Sequence, residues 1–229
     1  MTDYLLVHGG WGGGWVWDDL VERLEKAGHQ VRVVDRLPSA GIDPGSLGDL
    51  TSDANYVRQV LDTVDEQVVL VGHSYGGMVI TELADHPKVR HSVYLAAFFP
   101  RRGQSLLDLL GDAPLPSWIV QRDDGALEIT NDFELAWKSL CADLDRDRTH
   151  RMLSRFVLQS AAVFRVPSTA PDHAHPTTYM IAAQESDNCI PVAAQEAMST
   201  NANCVVRLPA AHMVQLSRPD ELAEALGRI

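Results

Sequence analysis

The chain has 229 residues, of which 45% are hydrophobic and 22% charged, and it carries a net charge of −12 at neutral pH. This length suits one domain with a sizeable core and room for a small insertion. The acidity disfavours nucleic acid and anionic membranes as partners, and no apolar run approaches the roughly 18 residues of a membrane span. Three scattered cysteines without CxxC spacing are typical of reduced thiols. With no signal peptide expected at the N-terminus, we predict a cytoplasmic protein.

Short β-branched runs alternate with amphipathic patterns through the first hundred residues. Strands buried on both faces are predicted at residues 4–7, 30–34, 68–71 and 93–98. Between them, Val16, Leu20 and Leu24 share one face of a predicted helix, and Val57, Leu61 and their neighbours form a second apolar stripe. Strict alternation of strand and helix implies parallel strands joined by right-handed crossovers.

This alternation stops after residue 100. Residues 101–173 carry helical patterns at 133–140 and 146–163 and no convincing strand. Strands at 178–182 and 204–208 and helices at 191–198 and 219–226 follow. We therefore predict an α/β fold with a mostly parallel central sheet flanked by helices. Residues 1–100 and 174–229 form this core, and residues 101–173 are predicted to be a helical cap inserted between two strands.

The most informative motif is Gly72-His73-Ser74-Tyr75-Gly76, which lies between a predicted strand and a predicted helix. A G-x-S-x-G sequence at such a sharp turn exposes the serine hydroxyl above the sheet. Glycines two residues to either side are needed because a Cβ would collide with neighbouring backbone. The pentapeptide alone is weak evidence, but together with the strand before it and the helix after it, it predicts Ser74 as a nucleophile.

A serine nucleophile needs a base, and the base needs an orienting acid. For a serine on a turn of this kind, the chain order is Ser, then Asp or Glu, then His. His212 follows the last predicted strand and is the sole histidine beyond residue 175, so it is the predicted base. Glu185 and Asp187 both follow the preceding strand; Asp187 is preferred because its Ser-Asp-Asn context favours a turn.

Acyl transfer also requires donors for the developing oxyanion. We predict the backbone N–H groups of Tyr75 and of Gly10, which lies in the glycine-rich loop after the first strand. Phosphate binding is the competing interpretation of that loop, but no Walker lysine follows it. His173 and His175 have metal-ligand spacing without a further ligand cluster nearby. We expect neither a cofactor nor a metal.

Large aromatic side chains suggest the walls of the pocket. The predicted pocket residues are Trp11, Trp118, Phe133, Trp137 and Phe156. The expected partner is a small-molecule substrate, with no nucleic acid and no membrane. The sequence leaves the oligomeric state open, a homodimer included.

Together these segments resemble the α/β-hydrolase superfamily, and within it the branch of plant methyl esterases and hydroxynitrile lyases. The segments that carry the likeness are Leu6-Val7-His8-Gly9-Gly10, Trp15 with Trp17, Gly72-His73-Ser74-Tyr75-Gly76-Gly77, Val93-Tyr94-Leu95-Ala96-Ala97-Phe98-Phe99-Pro100, Gly103-Gln104-Ser105, His212-Met213 and Ser217-Arg218-Pro219. The likeness spans the chain except the predicted cap. It is specific for fold and triad, but not for substrate.

Two positions separate esterase from lyase within that branch. Its cyanohydrin-cleaving members carry Thr after the first loop's His and Lys after the catalytic His, where this chain has Gly9 and Met213. Gly9 leaves room for a tetrahedral intermediate, and without the lysine no charge stabilises departing cyanide. The resemblance therefore implies ester hydrolysis.

The predicted function is a serine hydrolase that cleaves a small, largely apolar ester or lactone through an acyl-enzyme. The first alternative keeps the site for a lyase, cyclase or C–C hydrolase reaction, with His212 as general base. The second is a sensor of small ligands, which requires less than a complete triad.

Overall fold

A computed structural model of the chain describes residues 1–111, 114–184 and 189–229. The strands, in chain order, are β1 (Asp3–Val7), β2 (Gln30–Val33), β3 (Ala40–Gly41), β4 (Val68–His73), β5 (Val89–Leu95), β6 (Ile119–Gln121), β7 (Ala126–Ile129), β8 (Leu158–Ser160), β9 (Thr177–Ala182) and β10 (Cys204–Leu208). Six of them form a central sheet in the order β10-β9-β5-β4-β1-β2. Every neighbouring pair in this sheet is parallel, as the strand–helix alternation predicts.

Helices connect and cover these strands. They are α1 (Asp18–Lys26), α2 (Leu50–Asp62), α3 (Gly76–Thr81), α4 (Leu106–Leu110), α5 (Phe133–Leu140), α6 (Arg146–Leu153), α7 (Val192–Ser199), α8 (Val214–Ser217) and α9 (Pro219–Leu226). Helix α1 packs against α8 and α9, while α2 packs against α3. In the part of the chain that the structure describes, no helix has both the length and the apolarity to cross a membrane.

The burial of each strand in the central sheet depends on its position there. Strands β1, β4, β5 and β9 are almost wholly buried because they have neighbours on both sides and helices above and below. The prediction of two buried faces is wrong for residues 30–34: β2 is an edge strand, and its side chains alternate between exposed and half-buried.

The insertion between β5 and β9 differs from the predicted helical cap. It contains α4, α5 and α6, but also β6, β7 and β8, which join β3 in an antiparallel sheet of order β3-β8-β7-β6. The prediction that the segment lacks strands is therefore wrong. The predicted helix at 146–163 ends at Leu153, because the following chain turns to pair with the core: the Val157 N–H donates to the Trp11 carbonyl at 3.0 Å.

Candidate active site

Ser74 lies at the sharp turn between β4 and α3. Its φ of +53° is in the left-handed region, which costs a non-glycine residue about 1–3 kcal/mol and persists only where the surroundings enforce it. The surroundings here are backbone hydrogen bonds. The Ser74 N–H donates to the Leu95 carbonyl, and the Ser74 carbonyl accepts from the N–H groups of Gly77 and Phe98. The turn thus holds Ser74 at the carboxyl edge of the sheet, half-exposed.

The glycines around Ser74 are explained by close backbone approach. A Cβ at Gly72 would lie 2.6 Å from the Gly76 carbonyl oxygen, and one at Gly76 would lie 2.7 Å from the His8 carbonyl oxygen. A Cβ at Gly77 would lie 2.2 Å from the Phe98 carbonyl oxygen. These contacts agree with the steric reason that the sequence motif suggested.

We expect Gly77→Ala to destabilise the protein by about 3 kcal/mol, because the new methyl group meets rigid backbone rather than a flexible side chain. Gly227→Ala is the matched control, since its Cβ would meet its nearest atom at 3.4 Å. Urea denaturation of both variants measures the difference. Equal stability of the two would contradict the steric account.

His212 lies in the loop between β10 and α8, is 2% exposed, and lines the same cavity as Ser74. Its backbone is held by a second histidine: the His73 Nε2–H donates to the His212 carbonyl at 3.0 Å, and the two rings are 4.7 Å apart between centroids. Burial lowers the pKa of His73 well below its usual range. His73 is therefore neutral, and the Gln215 amide approaches its Nδ1 at 3.4 Å.

The predicted acid, Asp187, and its competitor Glu185 lie outside the described residues. The assignment of Asp187 stays a prediction. A different carboxylate supports the His212 loop: the Ala211 N–H donates to the Asp143 Oδ2 at 3.0 Å.

The predicted oxyanion donors border the cavity beside Ser74. Gly10 and Tyr75 both line it together with Ser74. Among the described residues, neither backbone N–H donates to another protein group. The adjacent His8 shapes the loop: its Nδ1–H donates to the Gly9 carbonyl at 2.7 Å, its Nε2 accepts from the Leu37 N–H, and burial lowers its pKa to about 4.

Two small cavities meet at Ser74. Their volumes are about 30 and 20 Å³, enough for one or two water molecules each. The residues that line both are Gly10, Trp11, Ser74, Trp118 and Cys189. The first cavity also contacts Tyr75 and Gln159, and the second contacts His212.

Of the predicted pocket residues, Trp11 and Trp118 line both cavities and Phe156 lines the second. Phe133 and Trp137 line neither, which corrects their placement in the pocket. The ring of Phe133 stacks on His150, and the Arg146 guanidinium lies 4.7 Å from the Phe133 ring and 5.3 Å from the Trp137 ring. Both aromatics therefore hold α5 against α6.

Several lining residues were not predicted. In the first cavity they include Phe98, Leu106, Val163, Phe164 and Cys189. The clearest available signal was Phe98, which lies in the segment just after β5 and therefore at the same sheet edge as Ser74. The lining residues in the insertion gave no such signal, because their position depends on how the insertion packs against the central sheet.

A buried polar network adjoins the site. The carboxylate of Asp53, on α2, accepts from the Ser39 N–H at 2.8 Å, the Ser39 hydroxyl at 2.5 Å and the Tyr75 hydroxyl at 2.6 Å. The Gln159 amide donates to the Ser39 hydroxyl and carbonyl, and accepts from the Trp11 N–H at 2.9 Å. Asp53 is fully buried, and Gln159 is 1% exposed.

Burial raises the pKa of Asp53 from 3.8 to about 6, although hydrogen bonds from Ser39 and Tyr75 oppose the rise. A raised pKa means that the folded state binds the proton more tightly than the unfolded state. The contribution to stability is therefore complete below pH 3.8 and is lost as the pH rises through about 6.

The parent protein loses stability as Asp53 ionises, whereas Asp53→Asn cannot ionise. We therefore expect the free energy of unfolding of the variant, relative to that of the parent, to rise by about 2.4 kcal/mol between pH 4 and pH 7. Urea denaturation of both proteins across this range measures the difference. A difference that stays flat with pH would contradict the assignment of a buried, ionisable Asp53.

A serine raised on a strand-to-helix turn above a parallel sheet is the hallmark of one large class of enzymes, the α/β-hydrolases. The chain belongs to the alpha/beta hydrolase family, which it matches over residues 4–225. Over 242 aligned residues it is 32% identical to a carbendazim hydrolyzing esterase from Nocardioides sp., with all of both chains covered.

Other relatives agree with this class. The chain is 38% identical to polyneuridine aldehyde esterase of Rauvolfia serpentina over 110 residues, which cover 45% of this chain and 41% of the relative. A pyrethroid hydrolase from Sphingobium faniae JZ-2 superposes with a TM-score of 0.84 at 26% identity, covering 99% of this chain and 96% of the other. The chain is thus an enzyme of the carboxylic ester hydrolase type, in the branch that holds the plant methyl esterases.

Proposed function

We propose that this protein is a serine esterase that cleaves small, largely apolar carboxylic esters or lactones through an acyl-enzyme on Ser74. In this mechanism His212 takes the proton from Ser74 and returns it to the leaving group, with Asp187 orienting the imidazole. The N–H groups of Gly10 and Tyr75 stabilise the oxyanion. The supporting observation is the position of Ser74, which lies at a turn with a positive φ and lines both cavities. One cavity is also lined by His212, and the other is also lined by Gly10 and Tyr75.

The chemistry of the cavity walls supports an uncharged substrate. Among the described residues that line the two cavities, none is Asp, Glu, Lys or Arg. The amide of Gln159 is the prominent polar side chain in the first cavity, and Trp11 and Ser39 already occupy its hydrogen-bonding groups. A substrate carboxylate away from the oxyanion donors would lose hydration here without gaining a charged partner among the described lining residues. The names of the relatives, carbendazim hydrolyzing esterase and pyrethroid hydrolase, agree with hydrolysis as the reaction.

The test compares two activated esters of similar size, p-nitrophenyl butyrate and p-nitrophenyl hemisuccinate, which differ by a carboxylate. We expect kcat/KM to be lower for the hemisuccinate by at least about 100-fold, since burying an unpaired charge is costly. Comparable rates would overturn the proposed substrate class. The alternative lyase activity is assayed as benzaldehyde release from mandelonitrile; release without ester hydrolysis would overturn the proposed reaction.

A further inference from the structure

Two separate segments supply the proposed oxyanion donors, and one buried network connects them. We propose that Asp53 is a positioning residue that fixes these segments relative to each other. The inference rests on the proposed function, because it takes the N–H groups of Gly10 and Tyr75 as the donors. Asp53 itself does not line either cavity in the described part of the chain and acts through its neighbours.

The first connection runs to the loop that carries Gly10. Trp11, the next residue, has a φ of +57°, so its backbone direction depends on external contacts. Three come from the insertion: Gln159 accepts the Trp11 N–H, Val157 donates to the Trp11 carbonyl, and the Leu127 carbonyl accepts the indole N–H at 3.1 Å. Gln159 is in turn fixed by its two bonds to Ser39, which bonds to Asp53.

The second connection is shorter. The Tyr75 hydroxyl donates to Asp53 at 2.6 Å, and its ring is 3% exposed. This bond anchors the side chain of the same residue whose backbone N–H is the second proposed donor. Both donors are therefore tied to the Asp53 carboxylate, one directly through Tyr75 and the other through Ser39, Gln159 and Trp11.

The energetic cost of this arrangement supports a role beyond packing. Burial of Asp53 disfavours its charged form, and no ion pair among the described residues neutralises it. Its three hydrogen bonds only partly offset that desolvation. A neutral, apolar residue of similar volume would be cheaper if filling space were the sole requirement. The carboxylate instead provides three acceptor positions that bring Ser39 and Tyr75 together.

The test uses Tyr75→Phe, which deletes the hydroxyl and keeps the backbone N–H. We expect kcat for p-nitrophenyl butyrate to fall about 10-fold, with KM changed less than about 2-fold. A catalytic group misplaced by 1 Å can lower the rate by about 10²-fold, and loss of one anchoring bond should displace the Tyr75 N–H by less than that distance. Inhibition by phenylboronic acid, which forms a tetrahedral adduct with a serine, should weaken by about the same factor because it depends on the same donors. Tyr4→Phe is the matched control: it also deletes a buried hydroxyl bond, to the Leu226 carbonyl, and should leave kcat and inhibition unchanged.

Two further variants test the network as a unit. Asparagine at position 53 keeps one hydrogen-bond acceptor and the side-chain volume, so Asp53→Asn should retain a larger share of the parental kcat than Asp53→Ala. If the alanine variant does not fold, the test uses Tyr75→Phe and Asp53→Asn. Combining Tyr75→Phe with Ser39→Ala should cost less than the product of the two single losses, as expected for coupled residues.

The outcomes separate this inference from the proposed function. Parental kcat and boronate inhibition in Tyr75→Phe and Asp53→Asn, or strictly multiplicative losses in the double variant, would overturn the positioning role. If Ser74→Ala is inactive at the same time, the proposed esterase function stands. If Ser74→Ala keeps full activity, the proposed function fails.

Discussion

Ser74→Ala is expected to lower kcat for p-nitrophenyl butyrate by about 10⁴- to 10⁶-fold, the range seen when a nucleophile of a catalytic triad is removed. Alanine cannot form the acyl-enzyme, and the residual rate comes from substrate binding and the oxyanion donors. The substitution keeps a Cβ at the same positive φ, so the backbone strain is unchanged. We therefore expect the free energy of unfolding to stay within about 0.5 kcal/mol of the parent value.

The control for this variant is Ser154→Ala, at an exposed serine after α6 that lines neither cavity. It should retain parental kcat and KM. Stopped-flow release of p-nitrophenol gives a second readout: a burst is expected in the parent and the control if deacylation is the slower step, and none in Ser74→Ala. Full steady-state activity in Ser74→Ala would contradict the assignment of the nucleophile.

His212→Gln is expected to lower kcat by at least about 10⁴-fold, because an amide cannot accept the proton of Ser74 or return it to the leaving group. Glutamine keeps much of the volume of this buried side chain. Since His73 bonds to the backbone carbonyl of residue 212, the loop keeps that support in the variant. The loss should therefore appear in kcat rather than in stability.

His150→Gln is the matched control, because His150 is exposed and stacks on Phe133 away from both cavities. It should leave kcat unchanged. Groups that act as one catalytic unit are not additive, so the double variant of Ser74→Ala and His212→Gln should be no slower than the worse single variant. Two outcomes would contradict the proposed joint action of Ser74 and His212. One is a double variant slower than the worse single variant by the full effect of the other substitution, and the other is parental kcat in His212→Gln.

The parallel sheet could be predicted because its signals are local. Buried strands such as β4 are continuous apolar runs, and α2 shows its stripe at helical spacing. Ser74 could be predicted because the glycines of its motif report backbone contacts that only a tight strand-to-helix turn creates. The edge position of β2 could not, since it depends on the strand order rather than on the sequence of β2.

The strands of the insertion could be predicted from local sequence only in part. The hairpin of β6 and β7 was predictable in part: Asp124-Gly125 is a turn sequence between β-compatible runs, and Gly125 has a φ of +83°. The pairing of β8 with β3 places Gln159 opposite Ala40, which is far from it in the sequence. These strands have three and two residues, too few for an alternating hydrophobic pattern to be recognised in the sequence. The placement of Gln159 beside Gly10 follows from that pairing.

The network around Asp53 was missed for the same reason. In the sequence, Asp53 is one polar residue in the first turn of a helix, where acidic side chains are common. Only the fold brings it against Ser39 and Tyr75. Phe133 and Trp137 illustrate the opposite error, because large aromatics on an amphipathic helix pack against a neighbouring helix more often than they line a pocket.

The central claim is that Ser74 forms the covalent intermediate, and labelling with a fluorophosphonate tests it most directly. Peptide mass spectrometry of the labelled parent protein should place the phosphonyl group on the peptide that carries Ser74, with slower labelling in His212→Gln and none in Ser74→Ala. A label on any other residue, or labelling of Ser74→Ala at the parental rate, would contradict the account.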